Sequence, residues 1–140
     1  VGDGVDLEKA KNMARPLGDS IRFTGGLSGD KLVTEFDNAD LYLFTSYHEG
    51  MPTSVLEAMA FGLPVITRPV GGLVDFFTCD MGSMVDSFNP VDFAKVIGQY
   101  IEQPDRIASI SWFNHKYACE HFLASKVARK MEGVLKSHLK

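Results

Sequence analysis

The sequence has few of the features that mark several common protein classes. Its 140 residues include two cysteines, Cys79 and Cys119, which lie far apart and without the spacing of a metal site. No apolar run approaches the length of a membrane span. The formal net charge of −4 argues against a general nucleic-acid-binding surface. We therefore expect two free thiols and no nucleic-acid partner.

The familiar phosphate-binding loops are also missing. No glycine-rich loop is followed by a lysine. Gly2 and Gly4 begin a Gly-x-Gly pattern, but Leu7 stands where a dinucleotide-binding fingerprint has its third glycine. A tight strand-to-helix turn is the simpler interpretation of these glycines. Because Val1 is not methionine and no strand precedes it, we expect a fragment cut just inside a strand.

What the sequence does contain is typical of one folded domain. Hydrophobic residues make up 45% and charged residues 23% of the chain, which is ordinary for a globular protein and wrong for disorder. A length of 140 residues allows a single domain with its own hydrophobic core. We find no internal repeat, low-complexity linker or domain boundary.

A short helix is predicted between Pro52 and Gly62. Proline suits a first helical position, where its missing N–H is not needed, and glycine suits the residue just past a helix end. The segments Asp40–Ser46 and Pro64–Thr67 indicate buried strands on either side. Strand, helix and strand within about thirty residues form a parallel βαβ unit, which binds ligands at the loop leading into the helix.

This loop combines a predicted anion site with two carboxylates. The amides of Thr53, Ser54 and Val55 fall in the first helical turn, where they lack intrahelical acceptors and favour a phosphate. Glu49 precedes the helix, and Glu57 lies one turn along it, leaning back toward the same place. Because carboxylates repel phosphate, their natural partners are neutral hydroxyls on either side of it. We infer a nucleotide-diphosphate sugar held across the helix N-terminus.

The eighteen residues from Glu49 to Ile66, EGMPTSVLEAMAFGLPVI, resemble the signature of the retaining glycosyltransferases of family four, which have the GT-B fold. The resemblance extends from Val1–Gly4 through Phe23–Gly25 and Val70–Gly72 to about residue 90. It implies a Rossmann-like α/β domain of three layers, with a parallel sheet flanked by helices. Residues 1–140 would form part of the C-terminal donor-binding domain, without its first strand and helix and without the N-terminal domain.

The resemblance also implies roles for individual residues. Glu49 would bind hydroxyls of the donor hexose, and Glu57 the ribose of the nucleotide. The other candidate donor contacts are Gly4, Gly25, Gly26, Gly50, Met51, Pro52, Thr53 and Ser54. Of these, Gly25 and Gly26 would lie against the base. Asp75 stands where the family commonly has a glutamate, a departure that leaves its role open.

The resemblance implies retaining transfer of a hexosyl group from a nucleotide-diphosphate sugar, without a metal or other cofactor, in polysaccharide or glycoconjugate synthesis. A sugar or lipid-linked acceptor would bind to the missing N-terminal domain, so the fragment alone should be inactive. We expect a cytoplasmic protein, with peripheral membrane contact as an option. A nucleotide-sugar 2-epimerase of the same fold and a non-catalytic flavodoxin-like interaction module remain alternatives. The helix N-terminus between the two carboxylates argues against a glycoside hydrolase.

The remaining segments carry weaker signals. Helices are expected at 6–17, after Ser28, from Asn89, and at 107–117 and 122–139, and strands at 21–24 and 82–85. The last helix is basic through Lys126, Arg129, Lys130, Lys136 and Lys140, which suits an anionic membrane surface or, more commonly, docking on the protein itself. Arg68 has two interpretations, contact with a phosphate or a surface ion pair, and the surface pair is the default expectation. His48 is expected to be a polar surface group.

Overall fold

A computed structural model describes residues 1–139, so the basic residue Lys140 lies outside the described part. The chain forms two compact units, Val1–Asn38 and Ala39–Lys140. Each unit is described by itself.

The Val1–Asn38 unit contains helix α1 (Leu7–Ala14), a 3-10 helix (Arg15–Ser20) and helix α2 (Asp30–Asp37). The strand predicted at 21–24 is wrong, because the pairing present is an isolated bridge between Gly2 and Gly25. The predicted cap at Ser28 is also wrong, since Gly29 occupies that position with a φ of +57°.

The Ala39–Lys140 unit is built on a parallel sheet with the strand order β1-β2-β3. Its strands are β1 (Tyr42–Phe44), β2 (Val65–Thr67) and β3 (Gly82–Met84). Its helices are α3 (Thr53–Ala60), α4 (Pro90–Ile101), α5 (Pro104–His121) and α6 (Ala124–His138), with a 3-10 helix at Gly71–Asp75. The predicted βαβ unit is therefore present as β1-α3-β2.

Strand β1 is shorter and more exposed than the sequence suggests. Tyr42 pairs with Val65 and Phe44 with Thr67, so β1 matches β2 over three residues. Within the described residues β1 has a strand on one side only, and Leu43 remains 45% exposed. The expectation of a buried strand over 40–46 was wrong in its length and in its burial.

Helix α3 ends as its sequence predicts. Gly62 has a φ of +80°, a conformation that glycine adopts without strain. Its amide donates to the carbonyl of Met59 at 2.9 Å, and the amide of Leu63 donates to the carbonyl of Ala58 at 2.9 Å. These two bonds form a Schellman motif, which satisfies the last carbonyls of the helix. The start differs by one position, because Pro52 is the N-cap.

The core of this unit lies between the sheet and helices α4 and α5. It is formed by Ile66, Val85, Phe93, Tyr100 and Ile110. Helix α5 also packs against α3, so the helix that carries the candidate site has support from the sheet and from α5.

Asn114 of α5 connects two segments that lead into strands. The side chain is fully buried, and its Nδ2 donates to the carbonyls of Leu63 at 2.8 Å and Met81 at 2.9 Å. Leu63 precedes β2 and Met81 precedes β3, so one amide group holds both strand entrances. No hydrogen-bond partner for its Oδ1 is found within residues 1–139.

Helix α6 follows the predicted amphipathic pattern, but none of its described residues is buried. Its apolar side chains are exposed: Val127, Met131, Val134 and Leu135. Within residues 1–139, no helix combines the length and the apolar character needed to cross a bilayer.

Candidate functional site

The candidate site lies where the parallel strands end. We define the carboxyl edge as the loops that follow the three strands: residues 45–52, 68–70 with the 3-10 helix Gly71–Asp75, and 85–89. The first two loops are in direct contact, because the amide of Gly72 donates to the carbonyl of Gly50 at 2.7 Å. Gly71 has a φ of +53°, and a β-carbon there would overlap the carbonyl oxygen of Gly50. Glycine at position 71 therefore permits the close packing that fixes the 45–52 loop.

The N-terminus of α3 opens from this loop. Among residues 1–139, no hydrogen-bond acceptor is found for the amides of Thr53 and Ser54. The amide of Val55 donates to the carbonyl of Pro52 at 3.0 Å. The expectation that three amides are available was therefore wrong for Val55, whose N–H is used by a tight first turn. Two open amides and the positive end of the helix dipole remain to attract an anion.

The two carboxylates of the motif are open to solvent. Glu49 and Glu57 are both exposed. Within the described residues, no lysine, arginine or histidine forms an ion pair with either of them. Both remain free to accept hydrogen bonds from a ligand.

The phenol of Tyr42 is influenced by the charges of both glutamates. Burial raises the pKa of the Tyr42 phenol above its ordinary value, and the negative charges of Glu57 and Glu49 raise it further. A hydrogen bond with the Ser54 side chain acts in the opposite direction. The Tyr42 phenol is therefore within hydrogen-bond reach of Ser54, in the first turn of α3, and within electrostatic range of Glu49 and Glu57.

The other predicted contacts divide between the two units. Gly50 and Met51 are exposed in the loop before α3, whereas Pro52 is buried. Gly4, Gly25 and Gly26 belong to the Val1–Asn38 unit.

In that unit all three glycines lie close in space to the first seven residues of the chain. The carbonyl of Gly4 accepts from the amide of Leu7 at 3.0 Å, and that of Gly25 accepts from the amide of Gly2 at 2.8 Å. A β-carbon on Gly26 would lie 2.7 Å from a carboxylate oxygen of Asp3. Their assignment to the donor remains a prediction.

The expected surface pair of Arg68 is wrong. The Arg68 side chain is buried at 6% exposure, and its Nη1 donates to the carbonyl of Ser87 at 2.5 Å. Its guanidinium also lies over the rings of Tyr47 and Phe88. His48 and Asp75 are both exposed, as sequence reasoning proposed for His48.

Sequence reasoning missed Tyr42 and the neighbours of Arg68. Tyr42 stands in an apolar run, so its pattern indicates only a strand position. A polar hydroxyl within that run was the available signal, because buried tyrosines usually need a hydrogen-bond partner. Ser87 and Phe88 carried no comparable signal.

Within residues 1–139, no group of three or more histidine, cysteine, aspartate or glutamate side chains is arranged to hold a metal ion.

Residues 1–112 match the family described as "Glycosyl transferases group 1". The chain belongs to this family. The group 1 domain is 33% identical over 122 residues to D-inositol 3-phosphate glycosyltransferase of Salinispora arenicola, which covers 84% of this chain and 27% of that protein. It is 38% identical over 96 residues to the sulfoquinovosyl transferase SQD2 of Arabidopsis thaliana, covering 66% of this chain and 18% of that protein. The group 1 domain thus spans about a quarter or less of these relatives.

Solved structures agree on the fold. Sucrose-phosphate synthase from Thermosynechococcus elongatus superposes with a TM-score of 0.82 at 22% identity, covering 96% of this chain and 34% of that chain. HepE of Anabaena, in complex with UDP and glucose, superposes with a TM-score of 0.83 at 21% identity, covering 97% of this chain and 39% of that chain. The Rossmann-like GT-B architecture expected for the group 1 domain is confirmed.

Proposed function

We propose that this chain binds the donor of a hexosyltransferase that uses a nucleotide-diphosphate sugar. The observation that carries the proposal is the open N-terminus of α3 flanked by Glu49 and Glu57, two carboxylates without ion-pair partners among the described residues. Membership of the group 1 family supports it. The complex of the structurally similar HepE with UDP and glucose supports a donor of this chemical class.

The diphosphate would lie against the amides of Thr53 and Ser54, where the helix dipole favours negative charge. Glu49 would accept hydrogen bonds from the hexose, and Glu57 from the ribose. The hydrogen bond between Tyr42 and Ser54 holds the first turn of α3 in place. Gly50, Met51 and Pro52 would contribute the wall between sugar and phosphate.

In the whole enzyme, the nucleoside diphosphate would leave on the face from which the acceptor attacks, so that the configuration of the sugar is retained. The developing charge on the leaving phosphate is stabilised electrostatically by helix amides, which requires no metal. The acceptor would bind outside this chain, so we expect the 140 residues to bind donor without transferring sugar.

Calorimetric titration with a panel of nucleoside diphosphate sugars tests donor binding. Replacing Glu57 with glutamine should weaken binding of the preferred donor by roughly 1–3 kcal/mol, because one accepting oxygen becomes an N–H donor and the other loses its charge. Glu102→Gln, at the exposed end of α4, is the matched control and should bind like the parent. Equal affinity of the two variants would contradict the proposed role of Glu57, and isomerised donor without acceptor would indicate an epimerase instead.

A cytoplasmic location, where nucleotide sugars are available, is part of the proposal, as is peripheral contact with an anionic membrane through α6. Helix α6 has one acidic residue, Glu132, and four basic residues: Lys126, Arg129, Lys130 and Lys136. Its apolar residues are exposed. Such a helix binds surfaces by combined charge and apolar contact. Co-sedimentation with anionic but not with neutral vesicles would support the contact, and equal sedimentation with both would count against it.

A further inference from the structure

Arg68 is held by the loops that follow all three strands. It comes directly after β2, and its Nη1 donates to the carbonyl of Ser87, beyond β3, at 2.5 Å. Its Cζ lies 3.8 Å from the ring centroid of Phe88 and 5.0 Å from that of Tyr47, which follows β1. The two rings stack with centroids 5.5 Å apart and an interplanar angle of 14°. These contacts fix the guanidinium in one position.

None of these contacts supplies a negative charge. Among residues 1–139, no carboxylate lies within 4.0 Å of the Arg68 guanidinium, although its side chain is 6% exposed. Arg22, by contrast, pairs with Glu35 at an exposed position. A guanidinium has five N–H donors, and one of those on Arg68 has a hydrogen-bond acceptor in the described part of the chain. Burying a cation without a counter-charge is costly, so an anionic partner would stabilise this arrangement.

The position of Arg68 connects it to the candidate site. The loop that begins at Arg68 contacts the loop before α3 through the bond between Gly72 and Gly50. Tyr47, which lies beside the guanidinium, is two residues from Glu49. Arg68 and Glu49 therefore lie in two loops that are in direct contact with each other.

We propose that Arg68 binds a phosphate group of the substrate held at the carboxyl edge. Arginine suits this role because its planar fork matches two phosphate oxygens, and the rings of Tyr47 and Phe88 pre-orient that fork. The phosphate is that of the donor diphosphate, because the acceptor is proposed to bind outside this chain. The inference rests on the proposed function for its substrate, but its first probe requires no nucleotide.

Nuclear magnetic resonance titration with inorganic pyrophosphate, glucose 6-phosphate and glucose tests the assignment. Arg68→Met should lower the affinity for the phosphate-bearing ligand by roughly 10- to 100-fold, since a charged hydrogen bond is lost. The affinity for glucose should not change. A loss for pyrophosphate identifies the donor diphosphate as the ligand of Arg68, and a loss for glucose 6-phosphate alone would contradict that assignment. Arg106→Met is the matched control, because Arg106 also lies over a ring, that of Tyr100, at 4.6 Å.

Arg68→Lys keeps the charge but not the fork, and it replaces the methionine variant if that variant does not fold. It should bind the same phosphate ligand more weakly than the parent. Unchanged affinity in the folded variant, or no binding of pyrophosphate and glucose 6-phosphate by the parent, would overturn the proposal. The proposed function fails separately, if nucleotide sugars do not bind or Glu57→Gln has no effect, while the dependence of pyrophosphate binding on Arg68 persists.

Discussion

The two units of the chain bury very different amounts of apolar surface. Within Val1–Asn38, all of which the structure describes, the buried apolar side chain is Phe36, at 8% exposure. The Ala39–Lys140 unit has a parallel sheet and a core in which Ile66 is fully buried and Tyr100 is 1% exposed. The candidate site with Glu49 and Glu57 stands on the second unit. A site that must hold two carboxylates and a helix end in fixed positions needs this packed support.

Gly18, in the first unit, and Gly82, in the second, show two different uses of glycine. Gly18 has a φ of +55° with open space around its α-carbon, so it supplies only a backbone conformation. Gly82 has a φ of +151°, and a β-carbon there would overlap the carbonyl oxygen of Val65. At Gly82 the absence of a side chain therefore also permits close approach of two backbone segments. The following substitutions test how far the difference between the two units extends.

The largest effect is expected for Gly82→Ala. The new methyl group must displace β2, so overpacking adds to backbone strain and the loss should be about 3–5 kcal/mol. Gly18→Ala should cost about 1–3 kcal/mol from strain alone. Gly98→Ala, in helix α4 with open space, should gain up to about 1 kcal/mol. Urea unfolding followed by circular dichroism measures all three, and equal losses for Gly82 and Gly18 would remove the contrast.

Asn114→Ala is expected to be next. It leaves the buried carbonyls of Leu63 and Met81 without their donor, at about 2–5 kcal/mol. In the other unit, the exposed side chain of Asn38 donates to the carbonyl of Thr34 at 2.7 Å. Water can replace it, so Asn38→Ala should cost about 1 kcal/mol or less. Fluorescence of Trp112, the single tryptophan, reports the first variant, and similar unfolding midpoints for both would contradict the assignment.

Glu57→Gln should lower the pKa of Tyr42 while leaving it above the ordinary value, because burial is the larger cause of the shift. A raised pKa in the folded state gives stability that is complete below the ordinary tyrosine pKa and is lost as the pH rises through the folded value. Tyrosinate absorbance measures the titration, with Tyr42→Phe assigning the signal. Glu102→Gln should leave the curve unchanged, and a Glu57→Gln curve identical to the parent would refute the coupling.

The smallest effect is expected in the Val1–Asn38 unit, for Arg22→Gln. A hydrogen bond from Arg22 holds the pKa of Glu35 below its ordinary value, and its charge acts in the same direction. The associated stability is present above the ordinary glutamate pKa and is lost as the pH falls through the folded value. The Arg22 side chain is 69% and the Glu35 side chain 25% exposed, so solvent screens the pair and the change in the free energy of unfolding should be slight. Carboxyl chemical shifts should show the Glu35 pKa rising, and an unshifted titration would argue against the pair.

Local patterns predicted the fold best where neighbours in sequence decide the structure. The end of α3 at Gly62 and the strands near 64–67 and 82–85 were predicted to within about a residue, because caps and short apolar runs act locally. The strand expected at 21–24 failed because a strand needs a ladder partner, and Gly2 offers a single bridge. The expectation of an open amide at Val55 was wrong because this amide donates to the carbonyl of Pro52 in the first turn.

The sequence by itself determined where α3 begins and ends, and it placed seven residues between Glu49 and Glu57. Both are properties of one continuous segment. Only the tertiary structure placed Tyr42 beside Ser54 and both glutamates, and Arg68 beside Ser87, 19 residues away. It likewise brought Asn114 to Leu63 across 51 residues. Such partners meet because strands pair and helices pack. The free energy of those contacts depends on residues that are far apart in sequence, so no single segment predicts them.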